Sequence, residues 1–252
     1  MRNLSRRKLI VTGLAATAGI TGLGVTAHLA NKYGLVPPDG GGIYGPGETL
    51  TYAAQRLLTR HSLAREFSPT EISAKPLANE LAPFSDEFKR FQADKFTDWR
   101  LAVDGLVDRP ASFSVAQIKS YPSRSHITEI GCEEGWTYIA EWIGTPLSHV
   151  LDLVGVQSHA KYVVYFSIEK DWWESMDMAD ALHPQTLLAY GMNGDDLPVG
   201  FGGPLRMRVT RQIGYKNVKF INRMTVTDNL KPFGKGTGGA NSDGGYAWYA
   251  GI

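Results

Sequence analysis

The chain has 252 residues, 43% of them hydrophobic, and a formal net charge of +1 at pH 7. The first 38 positions hold five basic residues and no acid, which leaves 21 basic against 25 acidic side chains, a balance of −4, in the remainder. That balance excludes a protein that binds nucleic acid by neutralising phosphates, and the single cysteine, Cys132, excludes an internal disulfide.

The N-terminus reads Ser5-Arg6-Arg7-Lys8-Leu9-Ile10, the pattern of a twin-arginine export signal, and Leu9 to Ala30 contains no Lys, Arg, Asp or Glu. A run of that length can cross a bilayer. Residues 1–35 are therefore expected to be either a signal cleaved near Val25-Thr26-Ala27 or a retained anchor, and the location is expected to be periplasmic. A flexible linker is expected over 36–47, where Pro37-Pro38 and Gly40-Gly41-Gly42 fall, followed by one domain over 48–233 and a Gly-rich tail over 234–252.

Within the domain, Leu50, Ala54, Leu57 and Leu58 recur at helical spacing and predict a helix over Glu48–Arg60. Ser68 to Phe84, with Pro69, Pro76 and Pro83, predicts an irregular stretch of the kind that carries binding loops. Trp99–Val107 alternates and turns at Asp104-Gly105, which predicts a strand and hairpin. Ser114 is placed to cap a helix ending at Ser120. Thr145-Pro146 is placed to start another, with Thr145 as N-cap, an apolar face of Leu147, Val150, Leu151 and Val154, and Gly155 as its stop. Tyr162–Ile168, Leu205–Val209 and Phe220–Val226 predict strands. The second sets Arg206 and Arg208 on the face opposite Leu205, Met207 and Val209. The tail is expected to be extended and docked by Tyr246–Tyr249. Short strands, irregular loops and a few helices give a mixed α+β class.

No G-x-S-x-G, H-E-x-x-H, P-loop or Rossmann fingerprint occurs, and the six histidines show no paired zinc spacing. Two segments carry candidate chemistry. Cys132 follows Gly131, which leaves room for a bulky ligand, so its thiolate reads either as a metal ligand or as a small buried apolar group. The stretch from Gly203 to Val209, followed by Gly214-Tyr215-Lys216-Asn217-Val218-Lys219, offers two arginines, two lysines and a Gly-led turn. It reads as a cradle for a phosphate-bearing ligand or as a solvated basic patch.

In this order the segments resemble the sulfite-oxidase fold family of molybdopterin enzymes, and within it the exported catalytic subunits that reduce methionine sulfoxide in proteins. The resemblance spans about Arg60 to Asp228. It is carried by Gly131-Cys132-Glu133, Trp142-Ile143-Gly144-Thr145-Pro146-Leu147, Ala181-Leu182-His183-Pro184, Leu188-Ala189-Tyr190-Gly191-Met192-Asn193-Gly194, Leu197-Pro198 and the two basic segments. It implies a sulfite-oxidase-type domain of mixed sheets and short helices, with no room for the additional dimerisation domain of true sulfite oxidases. It also implies a molybdenum–molybdopterin cofactor, ligated through Cys132. By the same resemblance Arg206 binds the cofactor's phosphate end, Asn217, Val218 and Lys219 contact it through backbone and amine, and Ser167 supplies a hydroxyl. Phe201 replaces an Asn or His of relatives, and His61, Arg65 and Glu66 align loosely at the N-terminal side.

The implied activity is oxygen-atom transfer that reduces a sulfoxide, by a monomeric catalytic subunit. No C-x-x-C-H haem motif occurs, so electrons are expected from a haem-bearing membrane subunit or a periplasmic carrier. Two rival readings stand beside it. One is a sulfite-oxidising dehydrogenase, which Glu133 and Glu134 oppose by repelling an oxyanion. The other is an exported domain that kept the fold without redox chemistry, which Phe201 keeps open. Trp136, Trp172 and Trp173 are candidates for an apolar mouth or for packing.

Overall fold

A computed structural model describes residues 34–252 apart from 80, 81 and 84. The export or anchor segment lies outside the described residues except for its last two positions. Residues 36–47 contain a 3-10 turn over Gly42–Tyr44 and the N–H of Gly41 donating to the Asp39 carboxylate, and they run into helix α1, Pro46–Leu58. The predicted helix is thus present. Its buried side carries Glu48, Tyr52 and Arg56, and Leu50, Leu57 and Leu58 face outward.

The irregular stretch after α1 holds a 3-10 turn over Pro69–Glu71 and leads to α2, Asp86–Ala93, capped by Ser85. Strand β1, Arg100–Gly105, pairs antiparallel with β2, Ala111–Ser114. Gly105 turns the chain at φ 90, where a side chain would meet the Val226 backbone. Ser114 and Gln117 form the reciprocal cap of α3, Val115–Ser120. Strands β3, Arg124–Gly131, and β4, Thr137–Pro146, form a hairpin. Helix α4 is Leu147–Val154, with all four predicted apolar residues buried and Gly155 left-handed at its end. Thr145 is not its cap. It belongs to β4, which pairs with the strand at Thr186–Met192 as far as Pro146, and its hydroxyl donates to the Ile118 carbonyl. Sheet pairing outcompetes the cap there.

The remaining strands are β5 Tyr162–Ser167, β6 Trp173–Asp177, β7 Thr186–Met192, β8 Asp195–Asp196, β9 Arg206–Val209 and β10 Ile221–Thr227, with α5 at Met178–Ala181. They build two sheets, ordered β2-β1-β10-β5-β6 and β3-β4-β7-β8, with β9 added to β7. The β1–β10 pair is parallel and joins residues more than 100 positions apart. The main core draws Val163 and Tyr165 from β5, Met224 and Val226 from β10, Met207 and Val209 from β9, and the inner face of α4. The opposite face of β5 supplies Val164 to a second cluster with Tyr52, Trp173, Trp248 and Tyr249. The tail docks through Trp248 as expected. It is turned rather than extended, with α6 at Ala240–Asp243 and the Asp243 carboxylate accepting from Lys235 and Thr237.

The second sheet is curled. In a flat sheet, β3 and β9 would stand three strand spacings apart, about 14 Å. Arg208 of β9 nevertheless donates to the Thr128 hydroxyl at 3.2 Å and to the Glu129 carbonyl at 2.7 Å, both on β3. The two outer strands therefore close toward each other over Trp142 of β4, which is fully buried.

Candidate active site

Cys132 sits where β3 ends. Its N–H donates to the Trp136 carbonyl at 2.9 Å, and the Gly135 N–H donates back to the Cys132 carbonyl at 3.0 Å. This tight turn needs Gly135 at φ 90. Cys132 is 9% exposed, and its sulfur lies 3.3 Å from Glu133 Oε2. Burial pushes it up to about 11, against the backbone N–H of Glu134 and with the help of the Glu133 carboxylate. Gly214 packs onto this turn. A side chain there would lie 3.1 Å from the Gly131 carbonyl oxygen and 3.2 Å from Cys132 Cα.

The curl brings β9 and the turn after it to the same place. Arg206 donates through Nε to the Asn217 carbonyl at 2.9 Å and through Nη1 to the Phe201 carbonyl at 3.0 Å. Arg208 donates to the Asn217 side chain at 2.8 Å, and both guanidiniums lie 5.3 Å from the Trp142 ring centre. Both arginines are buried, and among the described residues neither has a carboxylate within ion-pair distance. Burial lowers Arg206, against the opposing pull of Tyr138. Burial, and then the charge of Arg206, lowers Arg208 to about 9.

Asn217 organises this turn. Its Oδ1 accepts from Arg208 and from the Val209 N–H, and its Nδ2 donates to the Gln212 and Ile213 carbonyls. Lys219 donates to the Gly200 carbonyl and to Asn79, both at 2.9 Å. Lys216 points the other way. It is fully buried and paired with Glu174 at 2.9 Å, so the turn presents one lysine to the site rather than the two expected.

These groups line one cavity of about 150 Å³ that holds Cys132, Arg206, Asn217 and Lys219 together with Glu133, Glu134, Trp136, Glu169 and Trp172. Four of the expected site residues thus converge. Val218 is part of the main core, so only its backbone is near. Phe201 packs its ring on Tyr138, 5.7 Å between centres, and serves Arg206 through its carbonyl. Ser167 ends β5 in a neighbouring cavity that shares Glu169 and Trp172 with the first, and its hydroxyl accepts from the Glu169 N–H. His61, Arg65 and Glu66 do not line the Cys132 cavity. His61 is exposed, Arg65 lies over the Phe67 ring, and Glu66 holds His126 and Gln185. Of the tryptophans, Trp136 and Trp172 reach the cavity, whereas Trp173 is core, stacked on Phe166. Asn79 and Glu169 carried no sequence signal. Trp142 falls in the family-like segment Trp142–Leu147, where nothing local marks it as the floor under two arginines.

The arrangement fits an anionic group that brings its own metal ligands. Among the described residues, neither buried guanidinium has a carboxylate within ion-pair distance, and Arg208 Nε has no hydrogen-bond partner. Buried charge of this kind calls for a counter-ion. Among the described residues no three His, Cys, Asp or Glu side chains gather around a metal position, so Cys132 would be a single soft ligand beside ligands carried by the bound group.

Comparison with known proteins agrees. Residues 89–232 match the oxidoreductase molybdopterin binding domain family. A protein of Azospira oryzae, provisionally named a protein-methionine-sulfoxide reductase subunit, is 35% identical over 183 residues, which cover 73% of this chain and 66% of that protein. The protein-methionine-sulfoxide reductase catalytic subunit of Ralstonia nicotianae is 28% identical over 209 residues, covering 69% of this chain and 63% of that one. The chain thus spans less than two thirds of the length of these relatives. The crystal structure of a sulfane dehydrogenase from Paracoccus pantotrophus superposes with a TM-score of 0.51 at 22% identity, over 68% of this chain and 46% of that one, and shares the fold. With Cys132 and the buried Arg206 meeting in one cavity on this fold, and with the family match over residues 89–232, the chain belongs to the oxidoreductase molybdopterin binding domain family.

Proposed function

We propose that the protein reduces a sulfoxide, such as methionine sulfoxide, by oxygen-atom transfer at a molybdenum–molybdopterin cofactor ligated through Cys132. The observation that carries this reading is the convergence of Cys132 with Arg206, Asn217 and Lys219 in one cavity. The bound cofactor supplies the two-electron oxygen-atom chemistry. The residues of the chain bind, orient and select. Arg206 and Lys219 supply positive charge for the phosphate end, and the Arg208–Asn217 pair holds the turn that presents them. Cys132 must lose its proton to ligate a metal, and Glu133 Oε2, already 3.3 Å from the sulfur, is the acceptor at hand.

The rim favours a neutral substrate. Glu133, Glu134 and Glu169 line the cavity and repel sulfite, whereas Trp136 and Trp172 offer apolar faces to a methyl thioether. Trp136 is held by its indole N–H on Glu134 at 2.6 Å and by stacking on Tyr138. Electrons come from a haem-bearing membrane subunit or a periplasmic carrier, and the chain reaches the periplasm by the twin-arginine route.

The test is molybdenum and pterin content of protein matured in a cofactor-competent host, followed by turnover on sulfoxides and sulfite. About one molybdenum per chain with sulfoxide turnover is expected, and Cys132→Ser is expected to abolish turnover. Folded, metal-free protein from a host that loads a control enzyme would overturn the reading, and so would rapid turnover of sulfite alone.

A further inference from the structure

Helix α1 is built inside out. Its inner side carries Glu48, Tyr52 and Arg56, and its outer side runs Leu50, Thr51, Ala54, Leu57 and Leu58 without a charge. Leu50, Leu57 and Leu58 are 70%, 66% and 80% exposed. A helix on a globular protein normally turns such a stripe to the core. A contiguous exposed apolar patch marks an interaction surface.

The helix cannot roll over to hide it. Arg56 holds Asp177 at 2.8 Å and Asp180 at 2.8 Å, and the Tyr52 hydroxyl donates to Asp177 at 2.7 Å. Turning the inner face out would leave the buried Asp177 without its cation and strip Asp180 of its two-bond partner.

The neighbouring chain says what covers the stripe. Gly34, Leu35 and Val36 line one cavity with Leu57, Arg60 and Lys161. Only Asn31, Lys32 and Tyr33 separate Gly34 from the end of the uncharged run Leu9–Ala30. Fully extended, that connection reaches about 14 Å. If the run is inserted in a bilayer, the C-terminal half of α1 is therefore held at the bilayer surface. No described helix is long and apolar enough to cross a membrane. A 13-residue helix with an uncharged outer side instead suits the plane of the interface. Arg60 and Lys161 are exposed beside Leu57, and among the described residues neither has an acidic ion-pair partner, which suits lipid phosphates.

We propose that the outer stripe of α1 is a membrane-docking face, seated at the headgroup–acyl boundary of a bilayer containing anionic phospholipid, with Arg60 and Lys161 on headgroup phosphates. The proposal takes Leu9–Ala30 as a retained, inserted anchor and is independent of the chemistry at Cys132.

The test uses the full-length, cofactor-loaded chain carrying Leu57→Trp, reconstituted in phosphatidylethanolamine–phosphatidylglycerol vesicles with or without brominated acyl chains. The wild-type chain supplies the background of native tryptophans. Position 57 is exposed, so molybdenum content should match wild type. The added indole emission is expected to fall by roughly half or more in brominated vesicles, because the face sits ~5–10 Å into the boundary. Emission insensitive to bromine but quenched by aqueous iodide would overturn the proposal, since the stripe would then face water. Emission quenched by neither would overturn it in favour of a protein partner. Failure of the full chain to associate with vesicles would overturn both the anchor and the docking face.

Discussion

The most consequential residue beside Cys132 is Asn217, which touches the cavity and yet spends its whole side chain on the protein. Four hydrogen bonds converge on that amide, two accepted and two donated. Its carbonyl also holds Arg206. Truncation would leave a buried guanidinium, a strand N–H and two carbonyls short of partners, each worth about 1–3 kcal/mol when stranded. Asn217→Ala is expected to cost about 3–4 kcal/mol in urea unfolding and to lower cofactor content, because the turn and Arg206 move together. A loss below about 1 kcal/mol would show that the turn is held elsewhere. The sequence showed Arg206 and Asn217 as neighbours of a phosphate cradle. It could not show that the Asn217 amide pins β9 to the turn at Gln212 and Ile213, because nothing in a local pattern says which groups will meet at one amide.

At the scale of elements, the patterns that were legible are those that local physics decides. The Ser114 cap, the apolar face of α4 with Gly155 after it, and the two-faced β9 strand all follow from spacing within ten residues. The failures are where distant pairing intervenes. Thr145 gave up its cap role to a strand that begins about 40 residues later, and Lys216 turned to Glu174. The stripe on α1 predicted the helix, and the Arg56 pairs set which side faces in.

The loop between α5 and β7 adds a titratable element. His183 Nε2 lies 3.2 Å from the Ser62 carbonyl, and its Nδ1 accepts from the Gln185 N–H at 3.3 Å, an arrangement that uses both nitrogens of the neutral ring. Burial, and then the charge of Arg211, holds its pKa below the usual histidine value, against the Ser62 carbonyl and Asp180. The unfolded chain therefore takes up the proton first as pH falls. Stability from the neutral ring is complete above about pH 6.5 and declines below it, down through the folded value. His183→Gln is expected to flatten the pH dependence of the urea midpoint between about pH 7 and 5. An unchanged slope would place the dependence on other groups.

At the scale of the molecule, the site exists because a sheet curls. Cys132 directly follows β3 and Arg206 begins β9, at opposite sides of a four-strand path, and only closure over Trp142 lets Arg208 reach Thr128 and Glu129. That closure gathers two buried cations, and among the described residues no carboxylate lies within ion-pair distance of either. Such a fold is incomplete without its anion, because each buried charge costs several kcal/mol until it is compensated. A small phosphate should therefore stabilise the cofactor-free chain. At a hundred times its dissociation constant a ligand adds about 2.7 kcal/mol, which for a domain of this size raises the midpoint by roughly 5–10 °C. Pyrophosphate is expected to produce such a rise in a thermal melt of cofactor-free protein, where sodium chloride of equal ionic strength does not. Arg206→Met should remove the increment, since its guanidinium faces the cavity, while the helices and sheets remain. An equal rise in chloride, or in the Arg206→Met chain, would mean that the two arginines are neutralised within the protein, and the argument that the curl is built around an anion would fail.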